Sequence, residues 1–186
     1  MDIGTSNRLA TAYALLEAYS ALSPDQILSQ LDDDGKHQIL PESLGMPARS
    51  KQEYGAHAAG ITSVFKSFKM IPQAIYEDVA SNAVIIHAKM DGELAKGSGG
   101  RWENECIMLL SMNDDGTKIV EIKEFVDSDK AMKMRNKVKP KHFGPPGSAL
   151  AVISSAVTGA MPVILGGVAG AAVMFFSGRR DILRIR

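Results

Sequence analysis

The chain has 186 residues, of which 45% are hydrophobic and 23% charged, and its 21 Lys+Arg are matched by 21 Asp+Glu. That length fits one domain with an appendage, and zero net charge removes the electrostatic case for nucleic acid, which needs a basic stripe to neutralise phosphates. A single cysteine, Cys106, excludes an internal disulfide framework and any cysteine-based metal site.

In chain order, Leu9, Ala12, Tyr13, Leu16 and Tyr19 recur at three- and four-residue steps, which predicts an N-terminal helix with one apolar face. Ser23-Pro24-Asp25-Gln26 then starts a short second helix, with Ser23 as cap and Pro24 in the first turn. This helix ends in the acidic run Asp32-Asp33-Asp34-Gly35, and 36–40 reads as a first strand stopped by Pro41. Ser50-Lys51-Gln52-Glu53 is a second capping box, opening a helix expected to reach about Phe68 with the stripe Tyr54, His57, Ala58, Ile61, Val64, Phe65 and Phe68.

Beyond it the apolar period changes to two. The segments 71–78, 83–94, 101–112 and 117–127 are predicted strands, separated by the turn signals Ser81-Asn82, Gly97-Ser98-Gly99-Gly100 and Asp115-Gly116. A last helix, capped by Asp127 or Ser128, runs to about Val138. Short links favour antiparallel neighbours, so the fold class is α+β: a curved, mainly antiparallel sheet closed by helices into a cone with an apolar interior, a natural small-molecule site.

Residues 139–148, with Pro140 and Pro145-Pro146-Gly147, read as a linker. Segment 149–178 carries no charge, and 179–186 is a basic tail with four arginines. An apolar run beyond about 20 residues is long enough to cross a bilayer, and Gly166 and Gly170 form a GxxxG pair. Pro162 and the abundance of Ala, Gly and Ser argue the other way, for a dispensable or poorly ordered extension, or one that covers an apolar surface of the domain. No basic segment followed by an apolar core opens the chain, so the domain of 1–138 is expected in the cytoplasm, with 149–178 as a membrane anchor under the first reading.

Alternation over 117–127 places Glu124 with Val120, Ile122 and Val126 on one face. A carboxylate on an apolar wall either finds a partner or keeps its proton, and both outcomes suit acid–base chemistry. Glu124 is therefore the first catalytic candidate. Glu105 shares its face with Arg101, Glu103, Ile107 and Leu109. It has two readings, an ion pair with Arg101 or a second carboxylate whose proton affinity is split from that of Glu124. His37, at the start of a short strand, is a proton carrier by its chemistry or else a structural histidine. Tyr54 and His57 lie on the apolar helix stripe, where they pack or orient a ligand. The four histidines lack metal-ligand spacing, and GxGxxG, GxxxxGK[ST] and GxSxG motifs are absent.

Several of these segments are familiar together. His37-Gln38-Ile39-Leu40-Pro41-Glu42-Ser43-Leu44-Gly45, the helix of Tyr54 and His57, Arg101, Asn104-Glu105, Asp115-Gly116-Thr117-Lys118 and Glu124-Phe125-Val126-Asp127-Ser128 resemble the fungal SnoaL-like proteins of the nuclear transport factor 2-like superfamily. The resemblance covers about 7–138. It implies a conical α+β domain, often a homodimer through the sheet, with a hydrophobic pocket and no metal or organic cofactor. It further implies an isomerase or cyclase of polyketide or meroterpenoid chemistry, or a non-catalytic binding or scaffolding module of the same fold. Glu124, His37 and Glu105 are then the catalytic candidates, and Tyr54, His57, Arg101, Trp102 and Asn104 the substrate-binding ones.

Overall fold

A computed structural model of the protein describes residues 5–95 and 100–138. Helix α1 (Asn7–Ser20) is capped by Ser6, whose side chain accepts from the Leu9 N–H. Helix α2 (Pro24–Ser29) is capped by Ser23. Strand β1 (Leu31–Leu40) and the two-residue β2 (Arg49–Ser50) flank a short 3₁₀ turn. Then come α3 (Lys51–Thr62), β3 (Phe65–Asp78), β4 (Ala83–Leu94), β5 (Arg101–Met112), β6 (Ile119–Val126) and α4 (Ser128–Val138).

The strands form one sheet in the order β2-β1-β6-β5-β4-β3. Every neighbouring pair is antiparallel except β1–β6, which is parallel. The chain thus brings its first long strand beside its last, and the helices cover one face. That face carries the core: Val84 and Ile86 of β4, Met108 and Leu110 of β5, and Ile119 and Ile122 of β6 are fully buried against Leu15 of α1 and Ile27 of α2. Burying each such side chain contributes about 1.5–3 kcal/mol. Cys106 belongs to the same face, and burial pushes its thiol well above the usual range, so it packs as a small hydrophobe.

Four sequence expectations need correction. Strand β1 starts at Leu31, five residues early. A register irregularity against β6 between Leu31 and Lys36 lets the acidic run join the strand while Asp33 and Asp34 stay in solvent. Helix α3 stops at Thr62 instead of reaching Phe68. Phe65 and Phe68 belong to β3, where Phe65 pairs with Leu94 and Phe68 with Gly92. Three-residue spacing of phenylalanines fits a helix or an irregular strand, and the long ladder to β4 decides it. β3 is an edge strand, which accommodates Pro72 without a lost internal ladder bond.

On α1 the buried face is Thr11, Ala12, Leu15, Leu16 and Ala18, and Tyr13 points outward. On β6, Val120 is exposed and Ile119 is buried in its place. The β5–β6 ladder slips by one residue between Ser111 and Met112, and that irregularity reverses the alternation at the start of the strand. Ile122, Glu124 and Val126 keep the inward parity.

Among the described residues no helix is long and apolar enough to cross a membrane. The linker, the 149–178 segment and the basic tail lie outside the described residues.

Candidate functional site

The inward faces of β1, β3, β4, β5 and β6 and the helices above them line a cavity with about 100 Å³ open to the centre of a water molecule. Its wall is mostly hydrocarbon, thioether and aromatic, with polar atoms confined to a few side chains, the usual pattern of a ligand pocket. Five methionines line it: Met46, Met70, Met90, Met132 and Met134.

Glu124 lines the cavity and is 12% exposed, whereas His37, also on the wall, is 1% exposed. His37 Nε2 lies 3.3 Å from Glu124 Oε2. An ionised carboxylate can only accept, so this bond puts the imidazole proton on Nε2 and leaves Nδ1 as a lone-pair acceptor. Nδ1 is buried and has no hydrogen-bond partner among the described residues. Burial lowers the pKa of His37 below the usual histidine value and outweighs the opposing pull of Glu124; Arg49 lowers it further. His37 is therefore held neutral behind a carboxylate that faces the cavity.

Tyr54 stacks on the His37 ring, centroids 4.0 Å apart and planes 12° from parallel. His57 stacks beyond, 5.9 Å from His37 and 6.4 Å from Tyr54. The α3 capping box places this stack: the Glu53 N–H donates to Ser50 Oγ, and Glu53 Oε2 accepts from the Ser50 N–H. The Tyr54 hydroxyl is hydrogen-bonded to that of Tyr19, near the end of α1. Burial raises both phenol pKa values far above the usual range, so both hydroxyls keep their protons.

Trp102 and Asn104 also line the cavity. Trp102 stands in an aromatic cluster with Phe65 and Phe68, at centroid distances of 5.6 and 6.4 Å. Asn104 Nδ2 donates to the Asp127 carbonyl at 3.4 Å, and its Oδ1 accepts from the Glu105 N–H at 2.8 Å.

Glu105 and Arg101 do not join the site. They lie on the outer face of β5, opposite in parity to Asn104, Cys106 and Met108. Met108, not Glu105, is the register partner of Glu124. The Arg101–Glu105 pair does not form either, because four residues along a strand span about 13 Å. Arg101 makes a two-pronged bond to Asp91 at 2.8 and 2.7 Å, and Glu105 pairs with His87. Both faces of β5 carry aliphatic residues, so the sequence does not single out the inner one.

Sequence reading missed Tyr19 as a site residue. Tyr19 shares its predicted stripe with Tyr13, so no local signal separated the buried hydroxyl from the exposed one. It also missed Arg49, which is 3% exposed on β2 and whose charge acts on His37, Tyr54 and Glu124. Among the described residues no group of three or more His, Cys, Asp or Glu is placed to hold a metal ion.

No family model matches the chain. The chain is 30% identical over 124 residues to austinoid biosynthesis cluster protein H of Aspergillus calidoustus, covering 64% of this chain and 82% of that protein. It is 25% identical over 128 residues to monooxygenase AacuO of Aspergillus aculeatus, covering 69% and 78%. Among solved structures it resembles the BvnE pinacolase of Penicillium brevicompactum, with a TM-score of 0.67 at 21% identity over 74% of this chain and 94% of that one. This last likeness is one of fold.

Proposed function

Because this chain belongs to the fungal SnoaL-like family of the nuclear transport factor 2-like superfamily, we propose that it is a cofactor-independent isomerase or cyclase of a hydrophobic polyketide or meroterpenoid. The reaction is proton transfer at Glu124 inside the apolar cavity. The observation that carries this reading is the His37–Glu124 pair: one carboxylate faces a mostly apolar chamber and is fixed from behind by a neutral histidine. A carboxylate so held can take a proton from one carbon of a bound ligand and return it to another, and a positioned acid–base group contributes typically about 10²–10⁴-fold to rate.

The relative named for austinoid biosynthesis and the pinacolase neighbour support this class of chemistry. Pocket walls of Phe65, Phe68, Trp102 and methionine suit a bulky hydrocarbon skeleton, and orientation of that skeleton supplies a further part of the barrier reduction. The same reading makes the protein a homodimer through the outer sheet face, where Ile107 and Phe125 pair across β5 and β6 and, with Leu109, are exposed.

The test is expression of the wild type and of Glu124→Gln in a fungal metabolite-profiling host that carries the neighbouring biosynthetic genes. The expected result is a product of the same mass as its precursor, made by the wild type and lost in a folded Glu124→Gln protein. Unchanged products from the folded variant remove Glu124 from the mechanism and favour the non-catalytic binding module. A product heavier by one oxygen atom favours the activity in the name of the Aspergillus aculeatus relative.

A further inference from the structure

We infer that the lysine face of α4 is a docking surface for an anionic lipid bilayer, so that the protein meets a membrane through a wall of its own cavity. Helix α4 carries four cations, Lys130, Lys133, Arg135 and Lys137, against one carboxylate, Asp129, in a chain whose net charge is zero. Lys130, Lys133 and Lys137 are spaced i, i+3 and i+7, which puts them on one stripe, and all three are exposed. Ala131, Met134 and Val138 repeat that spacing one residue on and turn into the domain, the first two buried and Val138 partly so. Lys133 pairs with Asp129 at 2.5 Å, but both side chains are largely in solvent, and such a pair contributes little. Because the apolar side of α4 is used inside the domain, contact with lipid is made by charge and not by insertion.

Two observations favour a bilayer over another polyanion. The first is what lies under the lysines. Ala131, Met132 and Met134 line the cavity, and the Trp102 indole N–H donates to the Lys130 carbonyl at 3.5 Å. The cationic stripe and the mostly apolar lining are thus two sides of one helix. A single-stranded nucleic acid would need exposed rings for its bases to stack on, whereas Trp102 is turned into the cluster with Phe65 and Phe68. The second is the sequence that follows α4. Lys139 and Lys141 extend the cationic run, and from 142 to 178 there is no Asp, Glu, Lys or Arg. A cluster of lysines and arginines on a helix beside a long uncharged stretch is a composition suited to anionic headgroups. On the reading of the ligand as a hydrophobic polyketide or meroterpenoid, docking through α4 sets the cavity beside the phase in which that ligand concentrates.

The test is cosedimentation of the full chain with vesicles of phosphatidylcholine alone and with vesicles containing about a third phosphatidylserine. The wild type is expected to prefer the anionic vesicles and to be released as added salt screens surface charge. The triple variant Lys130→Gln/Lys133→Gln/Lys137→Gln is expected to bind anionic vesicles about 10²-fold more weakly. Its counterpart Lys130→Arg/Lys133→Arg/Lys137→Arg should retain the affinity, which separates lost charge from lost fold. Energy transfer from Trp102, the only tryptophan of the chain, to a dansyl headgroup lipid is expected for the wild type and not for the glutamine variant. Equal binding to the two vesicle types overturns the inference, as does anionic binding unchanged by the glutamines or lost with the arginines. Absence of vesicle binding, or binding to polyuridylate RNA in its place, overturns it as well. No ligand enters this assay, so its failure leaves the acid–base reading of Glu124 standing. Unchanged metabolites from Glu124→Gln, in turn, leave the docking surface standing.

Discussion

His37 and Glu124 meet across the parallel β1–β6 pair although they are not register partners: His37 lies opposite Ile122, and Glu124 lies opposite Ile39. The two inward side chains reach diagonally to each other at 3.3 Å. The only parallel contact among the described strands thus assembles the acid–base pair from residues 87 apart in sequence. Four groups act on the pair: Arg49 by its charge, Tyr54 and His57 as stacked rings, and the Tyr19 hydroxyl through Tyr54.

A buried neutral histidine makes stability depend on pH with a definite sign. The folded-state pKa of His37 is below its unfolded value near 6.5. The unfolded chain therefore binds more protons between the two values, and stability rises with pH across that window. Its contribution is complete above about pH 6.5 and is lost as pH falls through the window toward the folded-state pKa. In urea unfolding at stepped pH, His37→Gln, which keeps a donor toward Glu124 but does not titrate, is expected to show a flatter acid limb than the wild type. Parallel curves would show that His37 is not held neutral.

Gly92 is fixed by contact. A methyl group there would sit 2.6 and 2.7 Å from Phe65 Cδ1 and Cε1 and 3.1 Å from Phe68 Cδ2. These rings wall the cavity beside Trp102, so they have to shift against their neighbours. Gly92→Ala is expected to destabilise by about 1–3 kcal/mol and to weaken binding of bulky apolar ligands. Thermal unfolding checks the first effect, and adding Phe65→Leu should recover part of it through direct coupling.

Removal of the α3 cap tests how firmly the site is seated. Ser50→Ala deletes the hydroxyl that accepts from the Glu53 N–H and should cost about 1 kcal/mol. Because Tyr54 and His57 ride on the first two turns of α3, ligand affinity is expected to fall along with stability. A loss of stability alone, seen by comparing calorimetry of binding and of unfolding, would mean that the packed stack positions itself without the cap.

Phe125→Glu places a charge on the exposed outer face beside Ile107. Sedimentation equilibrium is expected to show the wild type as a dimer and this variant shifted toward monomer, with the cavity residues untouched. A wild type that stays monomeric at all accessible concentrations contradicts assembly through this face.

Much of the architecture was legible because local signals agree with the tertiary result. The capping residues Ser23 and Ser50 and the alternation of β4 and β5 each mark their elements. The bulge in β6 was not legible, since Val120 and Ile119 are equally apolar and only the ladder to β5 distinguishes them. Glu124 stood out by its apolar neighbours and His37 by its chemistry, but their contact depends on a strand pairing that no local pattern encodes. Tyr19 was hidden for a related reason: on a helix stripe a tyrosine reads as packing until its hydroxyl partner is known.

The methionines of the cavity wall have a consequence for how the protein ages and how it changes. Unbranched thioether chains reshape cheaply around a different carbon skeleton, so a new ligand can be admitted by rotamer change before any substitution occurs. The same residues, Met46, Met70, Met90, Met132 and Met134, are mostly buried, and an oxidant small enough to enter the cavity would convert their sulfurs into sulfoxides and turn a greasy lining polar. Exposure to peroxide should therefore wet the chamber, and a sulfoxide reductase should dry it again.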